Sequence, residues 1–270
     1  MKNEILVLHD QHLHTEYSED SKAKIDDYIA KAIEAGCSYF IMTDHLDFDV
    51  AERGKTWIAD YKKQKEELKI LQNKYNIKLL QGIEIGYKTQ YKEEIKSIAN
   101  SLDFDVINLS IHDYKKLDFY WDEPFIDNGA KEMVKLYLDL YIEAIKSDIP
   151  YQVVCHIDYA YKSAIRVEPD LKFSIFEERI KEIMNVIINK GKAYEVNTKV
   201  LECIPHAEEH LKYLLGLYKS VGGTDLTLSS DAHDVKRFRS SFDRFMQIIK
   251  EAGFDTLCYF INKEKHYYYI

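Results

Sequence analysis

Proline and glycine are scarce in this chain, at 4 and 10 of 270 residues. A long flexible linker is therefore hard to place, and residues 1–270 read as one domain, a size that α/β barrels reach as single units. No apolar stretch approaches the roughly 20 residues of a membrane helix. The longest apolar runs are broken by Lys, Asp or Glu every few positions. The start, Met1-Lys2-Asn3-Glu4 before the short run Ile5-Leu6-Val7-Leu8, is too brief for a signal segment. A soluble, cytoplasmic protein is expected. Basic excess is also missing. A formal net charge of −9 argues against a general nucleic-acid surface, which needs concentrated Lys and Arg. The four cysteines, Cys37, Cys155, Cys203 and Cys258, lie far apart without a C-x-x-C pair, as expected for free thiols in a reducing compartment.

What is present is an alternation of short β-type runs with longer amphipathic segments. Strands are predicted at about 5–13, 38–43, 78–85, 104–111, 152–157, 192–197 and 226–230. Their unalternated apolar runs suit a parallel sheet buried on both faces. Helices are predicted from Lys24 to Ala35 and near 57–75, 91–101, 130–148, 174–190, 207–220 and 236–252. A β-like run, Thr256 to Ile261, and a Tyr-rich tail, 266–270, follow. Seven strand–helix units leave an open doubly wound sheet or a closed barrel. Neither G-x-G-x-x-G nor G-x-x-x-x-G-K-[ST] occurs, so the usual phosphate loops of open nucleotide-binding sheets are missing. The chemistry favours closure, because a barrel brings every strand's C-terminal end to one mouth.

Six of the ten histidines fall where predicted strands end. These are His12, His14, His45, His112, His156 and His233. Carboxylates occupy the matching places on other strands: Glu84, Glu195 and Asp231. His12/His14, His156/Asp158, Glu195/Asn197 and Asp231/His233 are i, i+2 pairs, whose members project to one side of a strand. Imidazole with carboxylate is a donor set for Zn, Mn or Fe. So many donors imply more than one ion, since tetrahedral zinc takes about four ligands. A lone histidine at a strand end is more often a hydrogen-bonding residue than a ligand. Six of them, with acids at equivalent ends, reverse those odds.

The ordered set Asp10-x-His12-x-His14-Thr15 with Ser18-x-Asp20-Ser21, Thr43-Asp44-His45, Gly82-x-Glu84, Ser110-Ile111-His112, His156-x-Asp158, Glu195-x-Asn197-Thr198 and Ser230-Asp231-Ala232-His233 resembles the motifs of the polymerase-and-histidinol-phosphatase (PHP) family. Within the family, it resembles the monofunctional histidinol-phosphatase branch. The resemblance implies a distorted (β/α)7 barrel holding three divalent metal ions. Carried over by residue, His12, His14, Glu84 and Asp231 would hold one. Glu84 would bridge to a second, held by His112 and His156. Asp20, His45 and His233 would hold the third, where some family members have His in place of Asp20.

The implied activity is phosphomonoester hydrolysis, L-histidinol phosphate to L-histidinol and phosphate in histidine biosynthesis, by attack of a metal-bridging hydroxide on phosphorus. The alternative is a phosphodiesterase, nuclease or phosphotyrosine phosphatase on the same scaffold. Either way the expected partner is a phosphate ester, a small molecule on the first reading, with no membrane and no nucleic-acid surface. Asp158, joined by His45 or His233 if the third metal is absent, would protonate the leaving group; the equal alternative for Asp158 is support of His156. Arg166, Lys199 and Arg53 are candidate phosphate-binding cations in loops after strand ends. Here Asn197-Thr198-Lys199-Val200 departs from the Asn-Thr-Ser-Gly of many histidinol phosphatases. Asp10 and Asp44 are read as partners orienting ligand histidines. His206-Ala207-Glu208-Glu209-His210 fits H-x-x-E-H, but reads as a solvated helix start.

Overall fold

The short apolar runs form parallel strands whose C-terminal ends lead into polar, His- and Asp-containing loops. The computed structural model describes residues 9–270, so residues 5–8 of the first expected strand lie outside the described part. The strands are β1 Tyr39–Met42, β2 His45–Asp47, β3 Trp57–Ile58, β4 Lys78–Gln81, β5 Ile83–Gly86, β6 Ile107–Ser110, β7 Asp113–Tyr114, β8 Leu117–Asp118, β9 Val153–Val154, β10 Ala193–Asn197, β11 Leu226–Ser229, β12 Thr256–Ile261 and β13 Glu264–Tyr269. The helices are α1 Ile25–Glu34, α2 Tyr61–Lys74, α3 Lys92–Ser101, α4 Glu123–Asn128, α5 Ala130–Lys146, α6 Tyr159–Val167, α7 Glu177–Asn189, α8 Thr198–Leu201, α9 Ala207–Ser220 and α10 Phe242–Glu251. None of the helices is long and apolar enough among the described residues to cross a membrane.

One sheet runs β11-β10-β9-β6-β5-β2-β3, parallel except for β3, while β1 pairs with β4. β1 passes directly into β2 and β4 into β5, so each pair is one bent strand. The segment at Leu13 closes the ring. It makes a parallel bridge to Ala232, with His14 N–H donating to Ala232 O at 2.8 Å, and Leu13 O accepts from Thr43 N–H at 2.8 Å. The first and last strand regions thus meet, as expected of a distorted barrel.

Inside the barrel, Ile41, Leu80, Val106, Val153, Cys155 and Ala193 pack with Cys258 and Phe260 of the β12–β13 hairpin. That hairpin plugs the N-terminal end. Gln11 clamps it twice, donating from Nε2 to Phe260 O at 2.7 Å and accepting from Phe260 N–H at 2.6 Å. The helices pack outside in a larger apolar layer. Three expectations shift. β3 takes the start of the helix expected at 57–75, a 3-10 turn at Val235–Arg237 precedes α10, and α6 occupies a stretch where no helix was expected. The Tyr-rich tail continues the hairpin as β13.

Replacing Gln11 by Ala strands two buried backbone groups of Phe260. An unsatisfied buried group costs about 1–3 kcal/mol, so the urea midpoint is expected to fall by the equivalent of about 2–6 kcal/mol.

Candidate metal centre

Glu84 sits at the mouth of the barrel on β5 and is 1 % exposed. Its Oε1 lies 3.2 Å from His12 Nε2, 3.2 Å from His112 Nε2 and 3.0 Å from His156 Nε2. Its Oε2 lies 3.3 Å from His14 Nε2 and 3.1 Å from His45 Nδ1. Asp231 Oδ1 is 3.4 Å from His14 Nε2 and 3.9 Å from His12 Nε2. Asp20 Oδ2 is 3.0 Å from His233 Nε2 and 3.5 Å from His45 Nε2. The nine residues expected as ligands are therefore brought together: His12, His14, Asp20, His45, Glu84, His112, His156, Asp231 and His233.

These spacings fit metal coordination. Donors about 2.1 Å from a tetrahedral ion stand about 3.4 Å apart. Ligand atoms of His12, His14 and Glu84, of His12, His156 and Asp231, of His14, His45 and His233, and of His45, Glu84 and His112 all lie within 4.8 Å of one another in their groups. Moreover, His12 Nε2, His14 Nε2 and His45 Nδ1 are buried without a hydrogen-bond partner. Burial opposes protonation of His12 and His45, yet the carboxylates outweigh it and hold both imidazoles well above the usual range: Glu84, Glu195 and Asp231 around His12, Asp20 and Glu84 around His45. A cation is what such a set lacks.

A second layer aims the rings. Glu195 on β10 accepts from His12 Nδ1 at 2.6 Å and from His156 N–H at 2.9 Å. Asp47 on β2 accepts from His112 Nδ1 at 2.8 Å and lies 3.0 Å from His45 Nδ1. Gly86 makes room for it, since a Cβ there would meet Asp47 Oδ1 at 1.7 Å. Sequence reasoning missed Asp47, although its i, i+2 spacing from His45 was a usable signal. Asp10 and Asp44 touch no imidazole directly. Asp10 accepts from Ser230 N–H and Oγ, and Asp44 from Thr15, Ser18 and Gln64; Ser18 Oγ in turn lies 3.3 Å from His14 Nδ1, so Asp44 reaches that ring through one hydroxyl. Two backbone positions here are strained as well: His156 and Asp231 have φ of 24° and 48°, the left-handed region.

Beside the cluster is a cavity of about 400 Å³, lined also by Lys162, Lys199, Tyr159, Trp57, Asp118, Tyr120 and Trp121. Lys199 lies in it as expected, Nζ 3.3 Å from Asp231 Oδ1 and 2.9 Å from His233 Nδ1. Four other expectations need correction. Asp158 does not line the cavity; it pairs with His210 Nε2 at 3.0 Å on α9. His210 is accordingly no solvated residue, its ring packing 5.2 Å from Tyr161 and 5.3 Å from Phe173. Arg166 turns from the cavity to bond Asp122, Tyr120 O and Ser163. Arg53 lines a neighbouring surface groove with Lys116 and Trp121. The cation missed from sequence is Lys162 on α6, 4 % exposed, its Nζ 3.5 Å from the Tyr159 ring centroid. Burial, then the charge of Lys199, pushes its pKa down to about 7.

The family model of the PHP domain matches residues 10–199. The chain belongs to the PHP family. Among PHP relatives, it is 28 % identical over 254 residues to the histidinol-phosphatase of Lactococcus lactis subsp. lactis, covering 93 % of both chains. It is 30 % identical over 234 residues to a probable histidinol-phosphatase of Clostridium acetobutylicum, covering 84 % of this chain and 87 % of that one. The crystal structure of the L. lactis histidinol phosphate phosphatase, complexed with zinc, L-histidinol and phosphate, superposes with a TM-score of 0.85, covering 95 % of this chain and 98 % of that chain. A putative histidinol phosphatase from Listeria monocytogenes shares the PHP fold at a TM-score of 0.74 and 16 % identity, covering 87 % of this chain and 99 % of that one.

Glu195→Gln is expected to weaken the hold on His12 and lower divalent-metal affinity 10–100-fold, measured by chelator competition with elemental analysis. Unchanged affinity would remove Glu195 from this role.

Proposed function

We propose that this protein is a metal-dependent phosphomonoesterase that hydrolyses L-histidinol phosphate to L-histidinol and phosphate. The observation that carries the reading is Glu84, buried among five imidazoles beside a cavity that two lysines also line. The similarity to histidinol phosphatases along nearly the whole chain supports the choice of ester.

The residues proposed to hold the ions are His12, His14, Glu84 and Asp231, then Glu84 with His112 and His156, then Asp20, His45 and His233. Three ions of zinc, manganese or iron suit these donors. Bound there, they would supply a hydroxide near neutral pH and neutralise phosphoryl charge. The rest falls to side chains of the chain itself. Lys162 and Lys199 line the cavity, where they can receive phosphoryl oxygens. Glu195 and Asp47 keep the imidazole rings from rotating. Since Asp158 is tied to His210, Lys162 takes its place as the proton donor to the leaving alkoxide: a pKa of about 7 suits a general acid at neutral pH.

Metal-replete protein is expected to release phosphate from L-histidinol phosphate faster than from bis-p-nitrophenyl phosphate; the reverse order rejects the reading. A depressed lysine pKa means the useful protonated form is present below it and lost above. Hence kcat/KM is expected to fall as pH rises through about 7. Lys162→Arg keeps charge but cannot titrate, and should abolish that limb. It should also reduce turnover of L-histidinol phosphate at least 10-fold more than that of p-nitrophenyl phosphate, whose leaving group needs no proton. Equal losses would leave Lys162 with phosphate binding alone.

A further inference from the structure

Six acids line the cavity: Asp20, Asp47, Glu84, Asp113, Asp118 and Asp231. Five face imidazole or ammonium groups. Asp20, Asp47, Glu84 and Asp231 belong to the histidine cluster, and Asp113 is paired with Lys88 Nζ at 2.5 Å. Asp118 has no cationic partner among the described residues. Its Oδ1 accepts the backbone N–H of Tyr120 at 3.0 Å, and no other side-chain bond is made.

The surroundings of Asp118 are built rather than incidental. β7 and β8 pair Asp113 with Asp118, and the Lys88–Asp113 pair anchors that hairpin, with Ala51 N–H donating to Asp113 Oδ2 at 3.1 Å. Beyond Asp118 the chain is held by Phe119, fully buried, whose N–H donates to His112 O at 3.0 Å. Ser163 Oγ donates to Phe119 O at 2.9 Å, and Arg166 donates to Tyr120 O at 2.9 Å. Trp57, Tyr120 and Trp121 line the cavity beside it, the last two half exposed. Aromatic faces and an uncompensated carboxylate both attract a cation.

The cavity therefore offers both signs of charge: Lys162, Lys199 and Asp118 all line it, together with the histidine cluster. A molecule carrying a phosphate at one end and a protonated amine nearby matches both. We propose that Asp118 is a specificity-determining residue that receives the protonated amine of the substrate's alcohol portion. The proposal rests on the phosphatase reading above and assigns the part of the ester that the metal cluster does not recognise.

The test uses metal-replete protein with L-histidinol phosphate and its deamino counterpart, 3-(imidazol-4-yl)propyl phosphate. Wild type is expected to prefer the amine ester in kcat/KM by on the order of 30-fold, the size of one charge-assisted contact. In Asp118→Asn that ratio should fall to within about threefold of unity, mainly through KM. A ratio insensitive to the substitution, or a wild type without preference, overturns the assignment. Loss of rate on both esters alike would also do so, since a structural role moves them together. Calorimetric binding of the same two esters runs in parallel. Inactivity of wild type on both rejects the phosphatase reading, while a Kd preference for the amine ester that Asp118→Asn removes still supports Asp118, and its absence overturns it.

Discussion

Glu84 is almost out of reach of water, yet its two oxygens stand within 3.3 Å of nitrogens from five histidines. An ionised carboxylate in that position costs several kcal/mol unless its charge is met. Protonated imidazoles could meet it, but five of them would repel one another at these distances. Neutral imidazoles with a divalent cation bound among them would remove both problems, because the cation would meet the negative charge that protons otherwise must. The positive φ at His156 and Asp231 falls just after their strands have ended, and the two side chains enter the cluster there, His156 Nε2 3.0 Å from Glu84 and Asp231 Oδ1 3.4 Å from His14 Nε2.

The second layer obeys the same constraint at one remove. Glu195 serves His12 with one oxygen and the backbone of His156 with the other, so one carboxylate registers two strands. Tyr137 and Tyr141, from α5 outside the barrel, donate to His156 O and Cys155 O and hold the same turn from behind. The position of His156 is therefore set by two elements, β10 and α5.

Much of this was legible in the sequence because a parallel barrel converts a one-dimensional regularity into a three-dimensional one. Polar residues recurring at strand ends must share a mouth, and nine of them do. The failures have physical reasons as well. The i, i+2 rule holds only while the chain remains extended. It works for His45 and Asp47, both within β2, but not for His156 and Asp158. There the strand ends at Val154, His156 adopts a positive φ, and Asp158 turns toward His210. Lys162 was invisible because its helix, Tyr159–Val167, was not foreseen, so nothing indicated that a lysine there would face inward. For Arg166, sequence reasoning did not foresee the Asp122 carboxylate and the Tyr120 carbonyl that claim its guanidinium group.

The bridge between Leu13 and Ala232 has a consequence for how the molecule comes into being. Its flanking residues are His12 and His14 on one side, Asp231 and His233 on the other, so the event that seals the ring also completes the donor set. On a ribosome, a chain that has emerged only as far as β10 would own most of its imidazoles while lacking the partner segment that orders the first pair. Metal binding at the sites these four residues would form then waits on the segment around Ala232 rather than on an early local motif.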